Sequence, residues 1–303
     1  MTNLFILPTR LGDAILTTGA IDKYKDKPST IVVTPLTAPL FADLPHLKRI
    51  IVMGKKPWRK HWFDIWKETR NESWDHIIDF RGSFLSYVLK SNKKYVWKQP
   101  RDPQHKVLQV SNCLKSNEPL SPTLWFSEER ILRTKPTRPT LAVAPIAGWS
   151  GKQWPIASFI TLLTKFCKKY PEAQVAILAA PNEKTLAEPL LKALPQDQCI
   201  NTIGMDLLDL AAFLQSTRLF IGNDSGLMHI SAAVKTPTLA LFGPSNDQIY
   251  GPWSGLESSP HRVLRSMPLP RKKIEQTVKD TTCYMNNLPV SRVWETLDDM
   301  WGA

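Results

Sequence analysis

Cysteine is scarce in this 303-residue chain, and its placement has no pattern. Cys113, Cys167, Cys199 and Cys283 lie far apart with no Cys-x-x-Cys spacing. That arrangement supports neither a zinc site nor a disulfide framework, and the four read as ordinary reduced thiols. No apolar run approaches the ~20 residues that cross a bilayer, so no transmembrane helix is expected. Residues 1–8 lack a basic start followed by a long apolar stretch, so no signal peptide is expected there. Repeats of solenoid period and low-complexity segments are missing as well. No Asp-x-Asp stands at a strand end, and Asp298-Asp299 falls in an expected terminal helix, so no metal site is expected.

What the chain has in excess is positive charge, with 39 Lys and Arg against 27 Asp and Glu, a formal +12. Such an excess fits nucleic acid, an anionic membrane surface or a phosphorylated substrate, and it also fits solubility alone. The length suits two domains of ordinary size. Hydrophobic residues at 43% and charged residues at 22% are those of a soluble globular protein.

The stretch that organises the rest is 219–245, LFIGNDSGLMHISAAVKTPTLALFGPS. Leu219, Phe220 and Ile221 are too short an apolar run for a helix and suit an interior parallel strand. Asn223, Asp224 and Ser225 are helix-capping types, and Gly226 permits a close backbone approach. A short apolar helix follows, then a strand at 238–242 and a turn at Gly243-Pro244. A strand feeding a helix N-terminus presents unpaired N–H groups and the positive end of a dipole, which suits a phosphate. Asp224 is of the right type to cap that helix or to bind a ribose. His229, one turn after Ser225, either faces the same ligand or simply packs.

Strands are expected at 4–7, 31–33, 49–53 and 76–79, with helices at 14–24 and 83–89 and an amphipathic, partly exposed helix across 55–70. The segment 133–140, RTKPTRPT, loses periodicity and is read as the linker. Beyond it come strands at 141–144 and 175–178 and helices at 156–169, 184–194, 209–216 and 290–301. Alternating strands and helices imply parallel βαβ units. The expected architecture is α/β, with two Rossmann-like doubly wound domains, 1–135 and 136–303, facing a cleft. A terminal helix is free to pack back on the first domain.

Four places offer chemistry. In PTRLGD, Asp13 follows a strand and a glycine and opens a helix; it is equally well read as a helix cap or as a base. In APIAGWSGKQWP, Lys152 precedes Trp154-Pro155 at a helix start and is either a solvated lysine or a cation for an anionic ligand. In AAPNE, Glu183 is either a ligand contact or a plain helix-start acid. The run KKPWRKHW, with Lys55, Lys56, Arg59 and Lys60, reads as a solvated face, as a lip for anionic groups, or as a nucleic-acid surface with stacking tryptophans. Arg81 and His105-Lys106 extend that lip. No nucleic-acid module accompanies it.

Taken together, these motifs resemble the heptosyltransferase family, glycosyltransferase family 9. The resemblance rests on Asp224-Ser225-Gly226 followed, after two intervening residues, by His229, a small-residue helix and Phe242-Gly243-Pro244, and on Lys152-x-Trp154-Pro155. Arg10, Gly12 and Asp13 match the family's Arg-x-Gly-Asp-like loop. The match is strongest across 141–245, clear at 10–13 and weak from 55 to 130. At Ala179-Ala180 the chain lacks the glycine the family has there. The resemblance implies a GT-B fold and an inverting transfer of heptose from ADP-heptose to the lipopolysaccharide inner core. It makes Asp13 the general base, with Lys152, Glu183, Asp224, Ser225, Gly226 and His229 on the donor. On the acceptor side stand Arg10, Lys55, Lys56, Arg59, Lys60 and Arg81. No cofactor is then required, nor nucleic acid. The protein would be cytoplasmic, working at the anionic inner membrane face. Another nucleotide sugar, or a non-catalytic protein that binds nucleotide sugars or polyanions, is the alternative.

Overall fold

In the computed structural model, which describes residues 2–100, 103–269, 274 and 282–303, the chain divides into two compact units, Met1–Ser127 and Glu128–Ala303. The first holds β1 (Thr2–Ile6), β2 (Ser29–Val33), β3 (Leu47–Val52), β4 (Trp74–Asp79) and β5 (Ser91–Val96). They form one parallel sheet in the order β3-β2-β1-β4-β5. The second holds β6 (Thr140–Ala144), β7 (Gln174–Ile177), β8 (Cys199–Asn201), β9 (Leu219–Asn223), β10 (Thr238–Phe242) and β11 (Arg262–Arg265). These are also parallel, in the order β11-β10-β9-β6-β7-β8. Each sheet is doubly wound. Its order reverses once, between β1 and β4 in the first unit and between β6 and β9 in the second. Loops leaving the two strands at a reversal go to opposite faces and open a crevice beyond the strands' carboxyl ends.

Burial explains which segments became strands. Every residue of β2, β6, β9 and β10 is buried, as expected of strands covered on both faces. The helix Ile156–Lys169 buries Phe159, Leu162, Leu163, Phe166 and Cys167 on one stripe against the second sheet. The terminal helix Val290–Gly302 buries Val293, Trp294, Leu297 and Trp301 in the core of its own unit. There Trp301 meets Phe166 edge-on, with centroids 4.8 Å apart.

Two local differences from the sequence reading have clear causes. The helix expected over 14–24 is two short ones, Leu11–Ile15 and Thr18–Asp22. Thr17 and Thr18 turn their hydroxyls back onto the carbonyls of Ala14 and Ile15, at 2.7 and 2.8 Å, where the first helix ends. The expected linker begins inside the helix Glu128–Thr134. Arg130 and Arg133 both bond Asp209 of the second unit, so this basic segment has a carboxylate partner.

Candidate active site

In the second unit the loops after β6 and β9 meet through side chains. Asn223, the last residue of β9, is wholly buried; its Nδ2 donates to the Pro145 carbonyl at 2.7 Å, and its Oδ1 accepts the Trp154 N–H at 3.0 Å. This amide fixes both ends of the 145–154 loop at the strand reversal. The same loop carries Lys152, whose Nζ donates to Asp224 Oδ2 at 2.6 Å. The carboxylate is nearly enclosed, with 8% of its side chain exposed, and the lysine more open at 30%. Gly222 allows the approach, since a Cβ there would lie 2.9 Å from both Ala144 Cβ and Ala144 O.

Asp224 therefore does not cap the helix that follows. The cap position of the helix Gly226–Ala233 belongs to Ser225, in extended conformation, and its side chain makes no capping bond. The Ser225 hydroxyl oxygen is buried without a hydrogen-bond partner among the described residues. Among the described residues the first turn of this helix has no side-chain cap from Ser225, and the Lys152 ammonium is bonded to Asp224, two residues before the helix begins, an arrangement that suits an anion. Gly226 opens the helix, and His229 is buried one turn on. Glu183 follows β7, one strand beyond β6. Its Oε2 accepts the Ala180 N–H at 2.9 Å and closes the turn Pro181–Glu183, so it acts locally as a helix-start acid.

The reversal in the first unit holds Arg10, Asp13 and Arg81. Arg10 is exposed at the cap position of Leu11–Ile15. Asp13 is not the cap; it lies half-buried in the first turn. The ammonium of Lys106 sits 3.7 Å over the Trp97 ring. Burial pushes Lys106 below the usual lysine range, and the Asp13 carboxylate pulls it back up. Lys106, which the sequence offered only as an extension of the basic lip, thus stands in the electrostatic field of Asp13.

Beside β1, the end of β4 is organised by Asp79, which is fully buried. Its carboxylate accepts the N–H of Arg81 at 2.9 Å, the N–H of Ser83 at 2.7 Å and the Ser83 hydroxyl at 2.6 Å. Burial raises its pKa above the ordinary value, and these donors counter that rise. The turn projects Arg81, whose guanidinium lies 4.6 Å from the Trp62 ring and 2.8 Å from Met53 Sδ. Arg81 also helps hold the His61 pKa down, after the larger effect of burial.

The basic run is a loop and a short turn before its helix. Lys55, Lys56, Arg59 and Lys60 are all exposed, and the helix begins only at His61. Trp58 and Arg59 take positive φ, 54° and 57°, and Trp58 is 91% exposed. Lys56 is paired with Asp64 at 2.8 Å. The loop leaves the carboxyl end of β3, the same end of the sheet as Asp13 and Arg81. No group of three or more His, Cys, Asp or Glu among the described residues is arranged to hold a metal ion.

Comparison with known proteins identifies the family and the fold. The family model described as glycosyltransferase family 9 (heptosyltransferase) matches residues 122–278. Lipooligosaccharide heptosyltransferase 2 of Campylobacter jejuni is 28% identical over 293 residues, covering 88% of this chain and 89% of that protein. Among solved structures, the glycosyl transferase family 9 protein from Veillonella parvula superposes with a TM-score of 0.80 at 18% identity, covering 99% and 97% of the two chains. The E. coli heptosyltransferase WaaC with ADP gives 0.78 at 17%, covering 99% and 100%. WaaC has also been solved with ADP-2-deoxy-2-fluoro heptose.

Proposed function

The chain belongs to glycosyltransferase family 9, and from that premise we propose that it moves a heptose from ADP-heptose to a sugar hydroxyl of the lipopolysaccharide inner core, with inversion. One observation carries the donor half of this reading. Lys152 and Asp224 meet where β6 and β9 diverge, just before a helix whose cap residue Ser225 makes no side-chain capping bond. The ligands in the solved WaaC complexes, ADP and a fluorinated ADP-heptose, suggest the nucleotide and the sugar. The curated C. jejuni relative, named for its lipooligosaccharide, suggests the acceptor.

In this mechanism the acceptor oxygen attacks the anomeric carbon as the bond from that carbon to the diphosphate oxygen breaks. Asp13 takes the proton from the attacking hydroxyl. The electron pair leaves with ADP, and Lys152 neutralises the charge that grows on the diphosphate. The N–H groups of the helix at Gly226 bind the same group. Glu183 reaches the nucleoside. Arg10, Arg81 and the basic loop hold anionic groups of the acceptor, and the exposed Lys55, Arg59 and Lys60 also rest on anionic lipid at the cytoplasmic face of the inner membrane.

Thermal stabilisation tests the donor assignment, because a ligand that binds only the folded state raises its apparent stability. ADP and ADP-heptose should raise Tm more than UDP, GDP or their sugars. Stabilisation by UDP or GDP derivatives alone would assign a different donor.

A further inference from the structure

The loop after β10 carries an unexplained polar group held in place by an unusual number of bonds. Arg265 ends β11 directly opposite Phe242, the end of β10. Its guanidinium donates through Nη2 to the Gly243 carbonyl at 2.7 Å, and through Nη1 to the Ser245 carbonyl at 2.9 Å and Asp247 Oδ1 at 2.5 Å. Its Nε donates to the Met267 carbonyl at 3.0 Å. The next residue, Asn246, caps the helix Asp247–Tyr250 through Gln248 N at 2.9 Å. The loop is therefore held at Gly243, at the Ser245 carbonyl and at Asn246 and Asp247, and a planar fork holds it more rigidly than a flexible point charge would. Yet the Ser245 hydroxyl oxygen is buried and bonds nothing among the described residues. A buried hydroxyl without a partner is costly, and such groups usually have a reason.

Its neighbours point to the reason. The register Leu241↔Asn223 and the bond from Asp224 N to the Leu241 carbonyl at 3.1 Å set the β10 loop beside the Asp224–Gly226 loop. Ser225 there carries a second buried hydroxyl without a partner, and the Trp149 indole N–H on the β6 loop is a third such group. Along the sheet the order of loops is then β7 with Glu183, β6 with Lys152, β9 with Ser225 and β10 with Ser245. Adjacent strands are about 4.8 Å apart, so these four loops span about 14 Å. On the donor reading above, on which this inference rests, the nucleoside lies at the β7 end and the diphosphate at the helix after β9. The part of the donor left for the β10 loop is the sugar.

We infer that the Ser245 hydroxyl hydrogen-bonds a hydroxyl of the transferred sugar, and that Arg265 is a positioning residue that holds the loop for this contact. Titration calorimetry on the full chain with ADP and with ADP-heptose tests this. Ser245→Ala should weaken ADP-heptose about five- to tenfold, the loss of one hydrogen bond to a neutral partner. ADP affinity should stay at the wild-type value, and the Tm of the unliganded protein should not fall, because an unsatisfied group has been removed. Arg265→Lys should give the same split between the two ligands. Because it acts through Ser245, it should add nothing to Ser245→Ala in the double variant. Equal affinity of wild type and Ser245→Ala for ADP-heptose overturns the inference, as does an equal loss for ADP and ADP-heptose. If the wild type binds ADP and only the variant comparison fails, the donor reading stands without the Ser245 contact. If the wild type binds neither ligand, both fall.

Discussion

Lys152 and Asp224 are 72 positions apart in sequence and 2.6 Å apart in the structure. The pair lies where the second sheet reverses its strand order, and it is better enclosed on the carboxylate side. Removing the ammonium leaves Asp224 a charge without its partner. Lys152→Met is expected to destabilise the second unit by about 1–3 kcal/mol, at the low end for breaking a buried pair because the lysine is partly solvated. It should also weaken ADP at least tenfold. Urea unfolding and ADP titration check both, and unchanged ADP affinity would remove Lys152 from the diphosphate site.

Glycines beside the site differ in what surrounds them. At Gly222 a Cβ meets Ala144 backbone and side chain at 2.9 Å, whereas at Gly243 it meets the Met285 sulfur at 2.6 Å. Backbone between two central strands cannot retreat, but a thioether can rotate. Gly222→Ala should therefore cost about 2–3 kcal/mol and Gly243→Ala less than about 1 kcal/mol. Chemical denaturation of the two variants compares them, and equal costs would contradict the argument.

How far the sequence revealed this fold depends on burial. The inner strands β1, β2, β6, β9 and β10 announce themselves as apolar runs because both of their faces are covered. The strands it missed, β5, β8 and β11, all stand at sheet edges. There SNKKYV can place Lys93 and Lys94 in water, and charge on an edge discourages further pairing. Motifs located Asp13, Lys152 and Asp224 because each follows a strand in a recognisable loop. Nothing local told that Lys152 would take the Asp224 carboxylate, or that Asn223 would clamp the 145–154 loop. Both are contacts between distant segments. The left-handed turn at Trp58-Arg59 was equally hidden, since neither residue is a type that favours it.

Acid should loosen the second unit through His261. Burial pushes this imidazole down to about 4. Above the unfolded value of about 6.5 both states are neutral and pH has no effect through this group. As pH falls below that, the unfolded chain gains protons first, so stability is lost progressively down to about pH 4, by about 3 kcal/mol in all. His261→Phe should flatten that part of the stability–pH curve. The same slope in the variant would assign the acid sensitivity elsewhere.

The basic loop is expected to act by charge. Each basic residue near an anionic surface contributes about 1 kcal/mol, less for Lys56, which already pairs with Asp64. Neutralising Lys55, Lys56, Arg59 and Lys60 should raise acceptor KM and weaken sedimentation with anionic vesicles, both more at low salt than at high. Donor KM should not change. If acceptor KM neither rises nor depends on salt, the loop is only a solvated surface.

Heptosyl transfer itself tests the central claim most directly. Wild type and Asp13→Asn are incubated with ADP-heptose and a heptose-deficient lipopolysaccharide core, and ADP release, product mass and the anomeric configuration of the new linkage are followed. An inverted linkage is expected from the wild type. Turnover should be lowered by about 10²-fold or more in Asp13→Asn, with ADP affinity kept. A folded Asp13→Asn that turns over like the wild type, or a product that retains the donor's configuration, would contradict that claim.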